Sequence, residues 1–430
     1  MIDRLLGAGR RMFRRLFHPT YEEDRARLAR LERRQVHEIA TMRAEVSRVS
    51  EQIAGLGIDK SLRTVRRQLE TIDERLGQLR DSAGHHYRAT SHALRAAGWQ
   101  EEQRELERRV MRRVARMARS SRPVVVGPWS GEVGFELLYW VPFVTWMLKQ
   151  AEVSPDRVLV ISRGGTEHWY AHLGGRYADI LSQVTPDEFR ERTEAARKQR
   201  TIGAFDRQVL RRAMRDAGIN GAVLVHPDLM YRLFYPFWKQ RVTVQRVDSF
   251  TSYRRLTPPA RPDVVARLPA EYVAVRFYFS HCFPDTAANR EFVNSVLRHL
   301  AESTDVVVLN TGLHLDDHTD HATARGRRIH TLEDLMTPER NLEVQTAVIA
   351  GARAFVGTYG GYAYLAPLLG VDSLAFYSVE SAFFRHHLEL AHNVFGRLGA
   401  GSLVALDVRD TTLLRLVFSE LDVVPGAAHP

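Results

Sequence analysis

Apolar residues recur in steps of three and four along residues 39–79, which is the spacing of a heptad seam with charged flanks. The repeat breaks between Gly55 and Gly57 and then restarts, which indicates a change of register. Such a narrow seam requires a partner helix. We therefore expect residues 20–119 to form an all-α coiled-coil stalk that makes the protein a homo-oligomer; the alternative is an intramolecular hairpin turning near residues 55–57. The seam positions are Ile39, Met42, Val46, Val49, Ile53, Leu56, Ile58, Leu62, Val65, Leu69, Ile72, Leu76 and Leu79.

A short basic amphipathic helix is predicted ahead of the stalk, within residues 1–19. Leu5, Phe13 and Phe17 recur at helical spacing over residues 2–17, with arginines between them. Helices of this composition lie in the interface of anionic membranes. The pattern therefore predicts peripheral membrane contact through residues 2–17, and packing against the protein itself is the alternative.

From Pro123 onwards short apolar runs alternate with helical patterns in two successive blocks. Strand–helix alternation is typical of parallel α/β sheets. We expect a first Rossmann-like domain over residues 120–255, a proline-rich linker over 256–270 and a second Rossmann-like domain over 271–430. In such folds, ligands bind at the carboxyl ends of the strands and in the cleft between domains.

The charge is concentrated in the amino-terminal part of the chain. Residues 1–122 hold 28 Lys and Arg against 17 Asp and Glu, whereas residues 123–430 hold 33 against 34. The basic residues of the stalk alternate with acidic ones and lack interleaved aromatic residues, so no nucleic-acid partner is predicted. The single cysteine, Cys282, excludes an internal disulfide,. A cytoplasmic protein is expected, held at the inner face of the membrane if residues 2–17 bind it.

Two Gly-rich loops join a strand to a helix and are candidates for chemistry. The first, over residues 127–136, carries Glu132 and Glu136. A carboxylate in such a loop is positioned to serve as a general base. Glu132 is the first candidate for catalysis and Glu136 the second; the alternatives are a loop carboxylate and a helix cap.

The second loop is predicted to bind phosphate. It consists of Thr358, Tyr359, Gly360 and Gly361, and such turns present backbone N–H groups and a helix dipole to an anion,. Arg276, inside an apolar strand, is a candidate partner for the same diphosphate, with a local ion pair as the alternative.

A loop with three histidines and three aspartates follows the next strand, over residues 311–321. Its spacing matches no metal motif, so no metal site is predicted. Thr311 and Gly312 are instead expected to line the donor site.

In combination, these motifs resemble the GT-B glycosyltransferases. Residues 364–371 read YLAPLLGV, similar to the "hLAxxhGV" helix of heptosyltransferase-type enzymes, and residues 130–133 read SGEV, similar to the acceptor-side loop of Kdo transferases. That family's loop glutamate is a base, which the resemblance assigns to Glu132. The chain departs from the heptosyltransferase pattern after Gly357, where Thr358 replaces an acidic residue.

The resemblance implies that a sugar moves from a nucleotide-sugar donor to a glycan or glycolipid acceptor. The donor is a co-substrate, and no cofactor is predicted. Two alternatives stay open. A nucleotide-sugar epimerase shares the architecture, and a coiled-coil scaffold with an inactive GT-B body would retain the stalk as its functional part.

Overall fold

The computed structural model describes residues 44, 101–194, 199–313, 315, 318–321, 326–399, 401–410 and 414. The chain divides into two compact units, Met1–Glu105 and Leu106–Pro430. The predicted membrane-binding helix and the heptad seam lie in the first unit, outside the described residues apart from residue 44. They stay predictions.

The first described element is helix α1, residues 101–118, at the end of the region predicted to be all-α. Val110, Val114 and Met117 recur on one face of α1 and are buried in the core of the second unit. The Arg113 guanidinium also donates a hydrogen bond to the carbonyl of Leu224. The carboxyl-terminal half of this helix therefore packs on the α/β body rather than extending from it.

The first sheet has four parallel strands in the order β3-β2-β1-β4. Val124 of the central strand pairs with Val158 on one side and Val223 on the other. Valine-rich central strands are buried on both faces, as the sequence of β1 indicates. The strands are β1 (Val124–Val126), β2 (Val158–Ser162), β3 (Arg176–Asp179) and β4 (Val223–Val225).

Helices connect and cover these strands. Helix α2 follows β1 and is assembled from Val133–Phe135, a π-helical turn over Glu136–Trp140, and Val141–Gln150. The other helices of this half are α3 (Pro186–Glu194), α4 (Ala204–Asp216), α5 (Pro227–Trp238), α6 (Gln245–Asp248) and α7 (Pro262–Val265).

The second sheet has six parallel strands in the order β12-β11-β10-β5-β7-β9. Gly357 of β10 pairs with Arg276 of β5, so the two predicted phosphate-binding segments are neighbours in the sheet. The strands are β5 (Tyr272–Arg276), β7 (Asp305–Val308), β9 (Ile329–Thr331), β10 (Ala354–Thr358), β11 (Asp372–Tyr377) and β12 (Leu403–Asp407).

A two-stranded antiparallel sheet of β6 (Tyr278–Phe279) and β8 (Thr319–Asp320) lies beside the carboxyl end of β5. It fixes part of the His/Asp-rich loop against the strand that carries Arg276. The helices of this half are α8 (Ala287–Ser303), α9 (Asn341–Gly351), α10 (Gly361–Leu368) and α11 (Arg385–Leu398).

The predicted fold class, two parallel-sheet α/β halves, is confirmed. Several elements differ from the expectation. Residues 185–217 contain two separate helices, α3 and α4, and the strands β3 and β12 and the helices α5 and α11 were not predicted. Among the described residues, no helix is long and apolar enough to cross a membrane.

Candidate functional site

The carboxyl ends of both sheets face a cleft that contains two cavities, of about 80 Å³ and about 630 Å³. Five residues line both: Glu132 and Val133 from the start of α2, Arg276 from β5, His318, and Tyr362 from α10. The sequence-predicted base and the sequence-predicted phosphate ligand are thus brought to the boundary between the two cavities.

Glu132 is the residue immediately before α2. Its backbone is extended, with φ −68° and ψ 146°, and its carboxylate makes no capping hydrogen bond to the helix. The side chain is exposed to the cleft. An ionised carboxylate is the form that accepts a proton in general-base catalysis, and this one is open to a ligand in the cleft.

The loop before Glu132 is held by packing and hydrogen bonds. A Cβ on Gly127, whose φ is +110°, would collide with the carbonyl of Ile161, so only glycine fits there,. The Trp129 ring is fully buried and stacks on Tyr231 at 6.0 Å. The Gln199 side chain accepts from the Ser130 amide at 3.0 Å. These contacts limit the positions that Glu132 can take.

Glu136 does not enter the cleft. It is fully buried, and its Oε1 accepts hydrogen bonds from Ser162 and Tyr170, both at 2.6 Å. Burial raises the pKa of this carboxyl to about 7, although the nearby Arg163 opposes the shift,. The expectation that Glu136 is a catalytic candidate is corrected here, because its side chain lines neither cavity and instead joins the core to β2.

Arg163 was not predicted from the sequence. It connects the buried carboxylate of Glu136 to the loop that precedes Glu132. Its Nη1 lies 4.0 Å from Oε2 of Glu136, and its Nη2 donates to the carbonyl of Gly131. Arg163 also lines the smaller cavity. The sequence does contain a signal for Arg163, which is a charged residue just after the apolar strand β2. A charged residue in an apolar strand is also what identified Arg276.

Arg276 is buried and held from several sides. Its Nη1 donates to the carbonyl of Leu309 at 2.8 Å and to the Gln345 side chain, and its Nη2 donates to Asp320 at 3.0 Å. The guanidinium carbon lies 4.4 Å above the ring of Tyr362. The local ion pair considered as an alternative is therefore present, and the same guanidinium also lines both cavities.

The Gly-rich turn after β10 is only partly as predicted. The Thr358 hydroxyl is buried, donates to the carbonyl of Tyr278 at 2.9 Å and accepts from its amide at 3.0 Å. It is therefore not presented to a ligand, which corrects the expected role of Thr358. The following residues, Tyr359, Gly360 and Gly361, do line the larger cavity.

The two Gly-rich loops meet directly. A Cβ on Gly361 would lie 2.7 Å from Cβ of Val133 and 2.8 Å from the Gly134 amide nitrogen. The amino-terminal ends of α2 and α10 therefore approach each other closely at the cleft. Both ends carry partial positive charge, and they lie at the part of the cleft that Glu132 and Arg276 both line.

The predicted donor loop is described in part. Thr311 lines the smaller cavity, and its amide donates to Asp320 at 2.8 Å. Gly312, with φ +63°, lines neither cavity. His314, Asp316 and Asp317 lie outside the described residues. Among those that are described, no group of three or more His, Cys, Asp or Glu side chains is arranged to hold a metal ion.

Comparisons with known proteins give distant structural similarities. A glycosyl transferase family 9 structure from Veillonella parvula has 11% identity and a TM-score of 0.40, covering 70% of this chain and 93% of that one. The ADP-heptose lipopolysaccharide heptosyltransferase II of Escherichia coli has 11% identity and a TM-score of 0.36, covering 62% of this chain and 88% of that one.

The iron-containing dodecameric glycosyltransferase TibC of enterotoxigenic E. coli has 10% identity and a TM-score of 0.32, covering 59% of this chain. The match spans 58% of the TibC chain, less than two thirds of its length. No protein-family model matches this sequence, and no curated protein matches it. Similarities at this level carry no inference about substrate or mechanism.

Proposed function

We propose that this protein is a glycosyltransferase that moves a sugar from a nucleotide-sugar donor to a hydroxyl group of a glycan or glycolipid. The observation that carries the proposal is the position of Glu132. Its exposed carboxylate lies at the boundary of the two cavities, opposite a rigidly held arginine and beside two helix amino termini. This is the arrangement that the resemblance to GT-B glycosyltransferases implies.

Each side of the cleft has a distinct part in the proposed reaction. Glu132 removes the proton from the acceptor hydroxyl as its oxygen attacks the anomeric carbon of the donor. The bond between that carbon and the phosphate oxygen breaks, and the nucleoside diphosphate leaves with the bonding electrons. Arg276 and the backbone N–H groups at the start of α10 stabilise the charge on the departing phosphate.

The fixed position of Arg276 supports this role. Asp320, Gln345 and the Leu309 carbonyl hold the guanidinium in place before any ligand arrives. Charge stabilisation by groups that need no reorganisation during the reaction is the largest single contribution in many enzymes. Asp320 also balances the charge of the arginine, so the turn after β10 and the two helix termini are needed to attract a doubly charged diphosphate.

The first test is a thermal-shift screen of the full-length protein against UDP, GDP, CMP, ADP and dTDP and their sugars. One nucleotide is expected to raise the melting temperature, and Arg276→Ala is expected to lose most of that rise. Arg298→Ala, an exposed arginine paired with Glu291 on α8, is the matched control. The variants are compared only if their melting temperatures without ligand show that they fold.

Glu132→Gln separates binding from chemistry. It is expected to keep the nucleotide-induced shift and to lose transfer by a factor of about 10²–10⁴, the usual contribution of a general base. A folded protein that responds to no nucleotide would refute the proposal and favour the scaffold alternative. A Glu132→Gln variant that transfers sugar at the wild-type rate would remove Glu132 from the mechanism.

A further inference from the structure

The larger cavity contains positive charge that the donor site does not use. Among its described lining residues are the cationic side chains Arg200, Lys239 and Arg276 and a single carboxylate, Glu132. Arg276 is paired with Asp320. Neither Arg200 nor Lys239 forms an ion pair with a carboxylate of the described residues. Both side chains are exposed, so their charge is available to an anionic group of a ligand,.

The two cations are held on one aromatic ring. The guanidinium carbon of Arg200 lies 4.5 Å from the centre of the Tyr235 ring, and Nζ of Lys239 lies 5.7 Å from the same centre. The Arg200 carbonyl accepts hydrogen bonds from the Arg232 guanidinium at 3.1 Å. These cation–π contacts place both positive charges beside one ring at the cavity wall,.

An aromatic surface adjoins these cations. Phe384 is 54% exposed, although large aromatic side chains in the described part of the chain are otherwise buried or half-buried. Trp238 is half-buried, packs edge-on against Phe135 at 5.0 Å and lines the same cavity. Aromatic faces in a concave site bind the flat, apolar face of a ligand and leave its polar groups to specific partners.

A polar group with no described partner lies beside the exposed ring. His386 is 8% exposed, lines the cavity and packs 5.7 Å from Phe384. Neither of its ring nitrogens has a hydrogen-bond partner among the described residues. Burial lowers the pKa of this imidazole, and a neutral imidazole offers one donor and one acceptor.

We propose that this part of the cavity binds the acceptor, and that the acceptor is a sugar carrying an acidic group, a carboxylate or a phosphate. The sugar ring lies against Phe384 and Trp238, and its acidic group lies between Arg200 and Lys239. The assignment to the acceptor rests on the proposed function, in which Arg276 and the turn after β10 take the donor diphosphate. Glu132 then lies between the two sites, where a transferred sugar has to pass.

The test measures binding of four probes to the full-length protein by ligand-observed NMR: glucuronate, glucose 6-phosphate, glucose and inorganic phosphate. At least one acidic sugar is expected to bind about tenfold more tightly than glucose and than inorganic phosphate. Which of the two acidic sugars binds more tightly identifies the acidic group. Arg200→Gln and Lys239→Gln are each expected to weaken that binding about tenfold, and Phe384→Ala to weaken binding of the sugar probe while leaving phosphate unchanged.

Arg241→Gln, an exposed arginine near the end of α5 that does not line the cavity, is the matched control. Equal binding of glucose and the acidic sugars would overturn the proposal, as would an equal loss in the control. The nucleotide screen distinguishes the two proposals. A nucleotide response without acidic-sugar binding refutes only the acceptor site, whereas acidic-sugar binding without a nucleotide response refutes the transferase and leaves a site for acidic sugars.

Discussion

The buried carboxyl of Glu136 should make the stability of this protein fall as the pH rises from about 4.5 to about 7. Burial raises its pKa from 4.5 to about 7. Between these values the folded protein keeps a proton that the unfolded chain has released. The contribution of Glu136 to the free energy of unfolding is therefore largest below pH 4.5. It declines as the pH rises to about 7 and is constant above that.

The size of this loss of stability follows from the difference between the two pKa values of Glu136. Each unit of pKa difference corresponds to about 1.4 kcal/mol, so the full loss is about 3 kcal/mol. This is a large fraction of the roughly 5–15 kcal/mol that stabilises a typical protein. The hydrogen bonds from Ser162 and Tyr170 at 2.6 Å and the charge of Arg163 favour the ionised form, but burial outweighs them.

Glu136→Gln provides the measurement, because the amide keeps an acceptor for Ser162 and Tyr170 but cannot ionise. The free energy of unfolding is measured by urea denaturation of both proteins from pH 5 to pH 8. Relative to wild type, the variant is expected to gain about 2.5 kcal/mol over this range. Other titrating groups contribute equally to both proteins and cancel. Glu389→Gln, on the exposed face of α11, controls for the loss of one acidic residue. Parallel curves for wild type and Glu136→Gln would refute the reasoning.

Three further predictions concern packing and the amino-terminal part of the chain. Gly361→Ala should destabilise the protein by about 1–3 kcal/mol in urea denaturation, because the new Cβ meets Val133 and Gly134,. The control is Gly396→Ala in α11, where the new Cβ has open space. It should be neutral or stabilising by up to about 1 kcal/mol,. Ile53→Asp in the heptad seam should lower the oligomeric state in sedimentation experiments, and an unchanged state would favour the hairpin. Deletion of residues 2–17 should abolish co-sedimentation with anionic vesicles at low salt, while neutral vesicles should bind neither form.

The central strands of both sheets could be predicted from sequence because they are short, continuous apolar runs. Two edge strands, β3 and β12, could not. β3 reads RYAD and is exposed or half-buried along its length, and β12 is buried only at Leu403 and Leu406. Helix α5 was hidden by its prolines. Pro227 lies in the first turn of the helix, where the backbone needs no N–H group. It therefore begins α5, although a proline after a strand usually indicates a loop,.

The different surroundings of Glu132 and Glu136 could also be found only from the structure. Four residues apart, they would share one face of a regular helix. Glu132, however, precedes the helix with an extended backbone, and Glu136 begins the π-helical turn. Their side chains therefore point to different surroundings, one to the cleft and one to the core. No local pattern in the sequence carries that information.

The site as a whole depends on a contact between two segments more than 200 residues apart. Glu132 and Arg276 come from different sheets, and their separation is set where Gly134 and Gly361 allow α2 and α10 to approach. A side chain at Gly361 would meet Val133 and the Gly134 amide, so the two helix ends would have to move apart. Each Gly-rich loop alone is a common strand-to-helix turn. The proposed chemistry needs both loops, so the pair of motifs predicts the site better than either motif does.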